Sequence, residues 1–120
     1  MRDITLQSVR AFLEDTPFDR ANMTVQVDDH STVLELHGNA IVWKINKPTD
    51  SWKEAGVYIT TCGWNSRVTT ERLNGIPGVH VYYKMGQLYC NGEPWDGSYK
   101  KIEYCPKEVK AILYPQENTP

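Results

Sequence analysis

Apolar residues recur at helical spacing near the start of the chain and then switch to strict alternation. Leu6, Val9 and Leu13 are three or four residues apart, which predicts a helix over residues 4–14 with one apolar stripe. Over residues 22–46, apolar and polar side chains alternate, and this pattern predicts a three-stranded antiparallel meander. The amphipathic helix is the natural cover for the apolar face of that sheet.

The second half of the chain predicts further strands and a shorter helix. Residues 57–61 are rich in β-branched side chains and predict a fourth strand. A short helix near residues 69–74 follows, and a threonine at its start, Thr69 or Thr70, can cap it. Alternation over residues 79–91 then predicts a second hairpin.

Pairs that contain glycine indicate where the chain should reverse its direction or leave a helix. Glycine and asparagine tolerate the left-handed backbone conformation that such positions require. The predicted positions are Gly38-Asn39 in the meander, Asn74-Gly75 at the end of the short helix, Gly86-Gln87 in the second hairpin, and Asn91-Gly92 after it.

The C-terminal segment permits two interpretations. Residues 99–104 can form another strand, whereas residues 106–114 fit either a short helix, with Pro106 in its first turn, or a strand. Residues 115–120 should form a frayed tail. We therefore expect a single α+β domain over residues 1–120. Its N-terminal helix should pack on an antiparallel sheet made of the meander and the C-terminal hairpin, with the short helix inserted between them.

Composition excludes several classes of function. With 40% hydrophobic residues and a formal net charge of −2, the 120-residue chain can form one core and is not a strongly basic nucleic-acid binder. No window approaches the ~20 apolar residues that cross a bilayer, and the N-terminus has no secretory signal, so we expect no membrane partner. Three cysteines without such a signal indicate reduced thiols and a cytoplasmic protein.

The sequence has no motif for metal or covalent chemistry. No two His or Cys residues have the spacing typical of structural zinc sites, so we expect neither a metal nor another cofactor. Nucleophile elbows and phosphate-binding loops are also missing. We therefore expect that the protein is not an enzyme, and we keep Cys62, at a predicted strand end, as the alternative nucleophile.

Two sets of side chains are candidates for binding a partner. Trp and Arg are residue types that dominate the energetics of protein interfaces. The partner-binding set is Trp64, Arg67, Arg72, Trp95 and Asp96. Aromatic side chains on strands, with lysines beside them, can instead stack on the bases of a single-stranded nucleic acid. This alternative set is Tyr82, Lys84, Tyr89, Trp95, Tyr99, Lys100 and Lys101.

Two runs in the second half resemble small proteins encoded by tailed bacteriophages and prophages. The first run is TTxRLN at residues 69–74, and the second is NGxxWDG at residues 91–97. The likeness covers the chain from about residue 57 to about residue 102. Small acidic phage proteins without catalytic motifs often bind and inhibit a host protein. The resemblance thus implies an accessory protein that modulates a host bacterial protein, such as a CRISPR-type defence complex or a nucleic-acid-processing complex.

Overall fold

The predicted helices and strands occur in the expected order, and two short strands that were not predicted, Phe18–Arg20 and Glu93–Pro94, add to them. The computed structural model describes residues 2–52, 54–64, 66–104 and 106–113. The helices are α1 (Asp3–Leu13), α2 (Arg67–Leu73) and α3 (Pro106–Leu113). The strands are β1 (Phe18–Arg20), β2 (Met23–Val27), β3 (Ser31–Leu36), β4 (Asn39–Ile45), β5 (Gly56–Ile59), β6 (Val81–Lys84), β7 (Gln87–Cys90), β8 (Glu93–Pro94) and β9 (Lys100–Ile102).

The strands form two antiparallel sheets. The larger sheet has the order β1-β2-β3-β4-β5-β9, and the smaller has the order β6-β7-β8. The α+β class and the N-terminal helix on an antiparallel sheet are confirmed. The predicted hairpin, however, lies in the smaller sheet and does not extend the meander. The reason is that β9 occupies the open edge of β5, where Val57 pairs with Ile102.

The core lies between α1 and the larger sheet and continues to α2 and the smaller sheet. Val9 of the predicted stripe and the neighbouring Phe12 are fully buried, as are Met23 and Leu34 on the strands that the helix contacts. Leu6, predicted on the same stripe, is instead 43% exposed. Pairing continues this face across the sheet, since Leu34 lies opposite Val42. The period of about 3.6 in the helix and of two in the strands thus brings the apolar residues together.

Residues 106–113 form a helix, which decides between the two interpretations of this segment, while residue 114 lies outside the described residues. α3 packs against α1, and its Glu108 side chain accepts a hydrogen bond from the backbone N–H of Gly78 at 3.1 Å. The predicted strand at residues 99–104 is confirmed as β9, although β9 is shorter. The predicted tail at residues 115–120 lies outside the described residues.

α2 differs from the prediction at both ends. It begins two residues earlier, because Ser66 rather than a threonine caps it: the Ser66 hydroxyl accepts the N–H of Thr69 at 3.2 Å. The predicted left-handed Asn74 is wrong, since its φ is −68°. Its side-chain amide instead donates to the carbonyl of Val81 at 2.9 Å and accepts the Val81 N–H at 2.6 Å. Asn74 therefore fastens the end of α2 to β6.

Three strand reversals are two-residue turns in which glycine takes the second position. Both residues have positive φ in His37-Gly38, in Met85-Gly86 and in Asn91-Gly92. The Asn91-Gly92 turn is confirmed, whereas Gly38-Asn39 and Gly86-Gln87 are each one residue too late. The physical reason is that this type of turn accepts an ordinary residue at its first position and favours glycine at its second.

Met85 occupies an unfavourable position, and replacing it should stabilise the protein. Its φ of 52° places a non-glycine residue in the strained left-handed conformation. Its side chain is 97% exposed, so no packing compensates for that strain. We expect Met85→Asn to raise the free energy of unfolding by about 1 kcal/mol, measured by urea denaturation. The same change at the neighbouring strand position, Lys84→Asn, should give no such gain. An asparagine at position 85 that left the stability unchanged would contradict this explanation.

Candidate functional site

A tight turn at the end of β5 presents Trp64 to solvent. Cys62 and Gly63 have positive φ of 54° and 80°, and the N–H of Trp64 donates to the carbonyl of Thr61 at 2.9 Å. This turn reverses the chain before α2 begins. The Trp64 side chain is left 61% exposed, in contrast to the burial that tryptophan usually reaches.

A cleft of about 260 Å³ lies beside Trp64. Its lining comes from β3, β4, the turn between them, the end of β5 and the start of α2, and most of its surface is apolar. The lining residues are Leu36, His37, Asn39, Ile41, Thr61, Trp64, Ser66, Val68 and Thr69. The arrangement therefore combines an exposed aromatic ring with a concave apolar surface.

Arg67 lines a second, more open cleft of about 510 Å³ on the other side of Val68. Arg2, Glu71 and Arg72 also contribute to it. Because Val68 lines both clefts, the two adjoin. In the part of the chain that the structure describes, neither the Arg2 nor the Arg67 guanidinium forms an ion pair. Trp64, Arg67, Val68 and the two clefts together form one surface, the Trp64–Arg67 face.

Arg72 has a structural position and offers almost no surface to a partner. Its side chain is 2% exposed. One guanidinium nitrogen forms an ion pair with Glu71 and donates to the Thr5 hydroxyl at 2.9 Å, and the other donates to the Asn22 side chain at 3.2 Å. Arg72 thereby joins α2 to α1 and to the turn between β1 and β2. These contacts account for the position of Arg72 without a partner.

Glu71 is held as a carboxylate by several donors. Its side chain accepts hydrogen bonds from the Thr5 hydroxyl at 2.6 Å and from the backbone N–H of Arg2 at 3.1 Å. Partial burial by itself raises the pKa of Glu71, but these hydrogen bonds and the Arg72 guanidinium outweigh it. The pKa of Glu71 is therefore below its ordinary value of 4.5.

Trp95 and Asp96 stabilise their own loop. Trp95 is 8% exposed, and its indole N–H donates to the carbonyl of Ser98 at 3.0 Å. The exposed Asp96 carboxylate accepts the hydroxyl of Ser98 at 2.6 Å and its backbone N–H at 2.9 Å, and these bonds lower the pKa of Asp96. Because one side chain is buried and the other is occupied within the loop, we omit both from the partner-binding surface.

The same loop supports the turn that carries Trp64. The carbonyl of Gly97 accepts the N–H of Thr61 at 2.9 Å and the hydroxyl of Thr60 at 2.8 Å. Gly97 has a φ of 87°, and a Cβ at this position would lie 2.4 Å from the Thr61 hydroxyl oxygen. Only glycine fits this close approach. Trp95 and Asp96 thus stabilise the loop that contains Gly97, and this loop in turn supports the turn that carries Trp64.

Three residues of the nucleic-acid set lie on the smaller sheet. Tyr82 and Tyr89 are directly opposite each other on β6 and β7, and their rings stack with centroids 5.4 Å apart at 11°. Lys84 is exposed at the end of β6. Since each tyrosine ring already covers one face of the other, the pair offers less stacking surface than two separate rings.

The other lysines of that set are on β9 and lie near carboxylates. The ammonium of Lys101 is 2.8 Å from the Glu54 carboxylate, and that of Lys100 is 4.0 Å from the Glu93 carboxylate. Trp95 is buried, as described above. The structure therefore divides the predicted nucleic-acid residues between two sheets and pairs two of their positive charges.

An aromatic cluster that the sequence analysis did not identify holds Tyr99. Trp52 contacts Trp43, Tyr58 and Tyr99, with ring centroids 5.5, 4.6 and 5.2 Å apart. Trp43 and Tyr58 are register partners on β4 and β5. Both residues lie in segments that the sequence predicts as strands, so their pairing could have been anticipated. Nothing in the sequence indicates that Trp52 folds back onto them. The cluster packs the loop before β5 onto the sheet.

Three further features bear on membrane, metal and thiol chemistry. None of the three helices in the described ranges is both long and apolar enough to cross a membrane. Within the same ranges, no three His, Cys, Asp or Glu side chains come together as a metal site would require. Cys62 is exposed in its turn, whereas burial raises the pKa of the Cys90 thiol.

Comparison with known proteins identifies a family. Residues 1–110 match the model of the Kyanoviridae Gp96 protein family. No curated protein and no solved structure matches the chain. The family match includes α1 and the meander, which lie outside the two runs that carried the phage resemblance. The chain therefore belongs to the Kyanoviridae Gp96 family of phage proteins, and the predicted phage origin is confirmed.

Proposed function

We propose that this chain is a phage accessory protein, not an enzyme, that binds a host bacterial protein through the Trp64–Arg67 face. The observation that carries the proposal is the 61% exposed Trp64 beside an apolar cleft. Tryptophan and arginine are enriched among the side chains that contribute most binding energy at interfaces. Membership of a phage family supports a host component as the partner.

The rigidity of the turn supports the same proposal. The backbone N–H of Trp64 donates to the carbonyl of Thr61, whose own N–H donates to the carbonyl of Gly97. A loop whose backbone is already ordered loses less conformational freedom when a partner binds. We infer that binding blocks or alters the partner in the host cytoplasm, and that a CRISPR-type defence complex or a nucleic-acid-processing complex is the class of target.

A pull-down from host lysate, with and without nuclease, tests the proposal. The tagged protein should retain one host protein in both conditions, and Trp64→Ala should lose it. Tyr83→Ala, at an exposed aromatic position on the smaller sheet, should retain it. Retention that disappears with nuclease would instead support single-stranded nucleic-acid binding by the tyrosines and lysines of the alternative set. Retention unaffected by Trp64→Ala, or no retained protein, would contradict the proposal.

A further inference from the structure

We infer that the Trp64–Arg67 face recognises an acidic protein segment, in which an apolar side chain lies a few residues from an Asp or Glu. This inference rests on the proposed function and specifies the chemistry of the partner. It comes from two neighbouring clefts of different character, one apolar and one cationic, which share the side chain of Val68.

The apolar cleft has the size for one side chain. Its volume of about 260 Å³ is below the ~300–1,000 Å³ of pockets that enclose small-molecule ligands. Ile41 is 1% exposed at its base, while Trp64 stands at its rim. An aliphatic or aromatic side chain from a partner would remove this apolar surface, together with the face of Trp64, from water.

The second cleft has an excess of positive charge. Glu71 is its only acidic lining residue among those described, and its charge is already balanced by Arg72. The guanidinium groups of Arg2 and Arg67 have no ion-pair partner in the described chain. Guanidinium groups bind carboxylates through two parallel hydrogen bonds, so a carboxylate is the complementary group here.

The adjacency of the clefts favours a polypeptide over a nucleic acid. A single-stranded nucleic acid could place phosphates on the arginines and a base on Trp64, but the polar edge of the base would find few hydrogen-bond partners in the mostly apolar cleft. A peptide supplies both groups within a few residues, because each residue extends the chain by about 3.3 Å and side chains can alternate. The preferred partner segment is therefore apolar at one position and acidic nearby.

Selection from a displayed random-peptide library tests this inference. The full chain is immobilised, and peptides that also bind Trp64→Ala are removed. We expect the remaining peptides to combine an aromatic or aliphatic residue with Asp or Glu. A synthetic peptide from this pool should bind Arg67→Glu at least ~10-fold more weakly, a change of about 1.4 kcal/mol. Lys84→Glu, a charge reversal at an exposed position on the smaller sheet, should leave its affinity unchanged.

Charge reversal gives a second measurement in the same selection. Arg67→Glu should enrich peptides with Lys or Arg in place of the acidic residue, whereas Lys84→Glu should enrich the original acidic peptides.

Peptides that need Trp64 but show no acidic preference would overturn the inference and leave the proposed function standing. A selection without peptides that depend on Trp64 would overturn it too, while the pull-down decides the proposed function separately. A labelled oligonucleotide that binds the chain but not Arg67→Glu would show that the cationic cleft takes phosphate, which also overturns the inference.

Discussion

Glu71→Ala should lower the free energy of unfolding by about 3–5 kcal/mol, because it leaves a buried guanidinium without its counter-ion. Arg72 is 2% exposed, and Glu71 is the carboxylate that forms an ion pair with it. The same substitution removes the acceptor for the Thr5 hydroxyl, which connects α1 to α2. Urea denaturation followed by circular dichroism measures the change.

An exposed ion pair provides the matched control for Glu71→Ala. Glu54 pairs with Lys101 on the surface, so Glu54→Ala should change the stability little. Replacing both Glu71 and Arg72 by apolar residues, Glu71→Leu with Arg72→Met, should destabilise the protein less than Glu71→Ala, because no unpaired charge remains buried. Equal stability of Glu71→Ala and Glu54→Ala would show that Glu71 and Arg72 do not hold α2 to α1 through Thr5.

The same carboxylate predicts a direction for the dependence of stability on pH. The pKa of Glu71 in the folded protein lies below its ordinary value of 4.5. Its contribution to stability is therefore complete above that ordinary value and is lost as the pH falls through the folded pKa. The stability difference between the native protein and Glu71→Gln should be largest near neutral pH and should shrink in acid. A difference that stayed constant down to pH ~2 would contradict this assignment.

Trp64→Ala should weaken binding to the host partner by at least ~30-fold, about 2 kcal/mol, which is the loss typical of a central interface tryptophan. The free energy of unfolding should hardly change, because the side chain is 61% exposed. Titration calorimetry with the captured host protein gives the dissociation constant, and urea denaturation checks the fold. Met85→Ala, at the most exposed large apolar side chain, is the control and should bind normally. Equal loss in both variants would contradict a specific role for Trp64.

Local sequence patterns predict most of the fold. The spacing of apolar residues in α1 and the alternation over residues 22–46 are properties of neighbouring residues, so the pattern alone predicts these elements. It does not predict which residues of β3 and β4 are buried, because burial along these two strands does not alternate. The separate smaller sheet depends instead on the pairing of β9 with β5, whose residues are more than forty positions apart in the chain. No local pattern indicates which strand takes that edge.

The candidate site is less predictable than the fold, because burial separates residues of the same type. Trp64 and Trp95 both follow turn-rich segments, yet one is 61% exposed and the other 8%. Arg67 and Arg72 lie on one short helix, but only Arg72 points toward Thr5, which is 67 positions away. Exposure at these positions is decided by contacts between distant segments, and these contacts leave no signature in the local sequence.

Site-specific photocrosslinking during infection tests the central claim most directly. A photoreactive amino acid replaces Trp64 in one variant and Met85 and Tyr83, both exposed on the smaller sheet, in two others. We expect position 64 to crosslink to one host protein, the protein retained in the pull-down, and positions 83 and 85 to give no such crosslink. Crosslinks to a host protein from position 83 or 85 with none from position 64 would contradict the claim that the Trp64–Arg67 face binds the host partner.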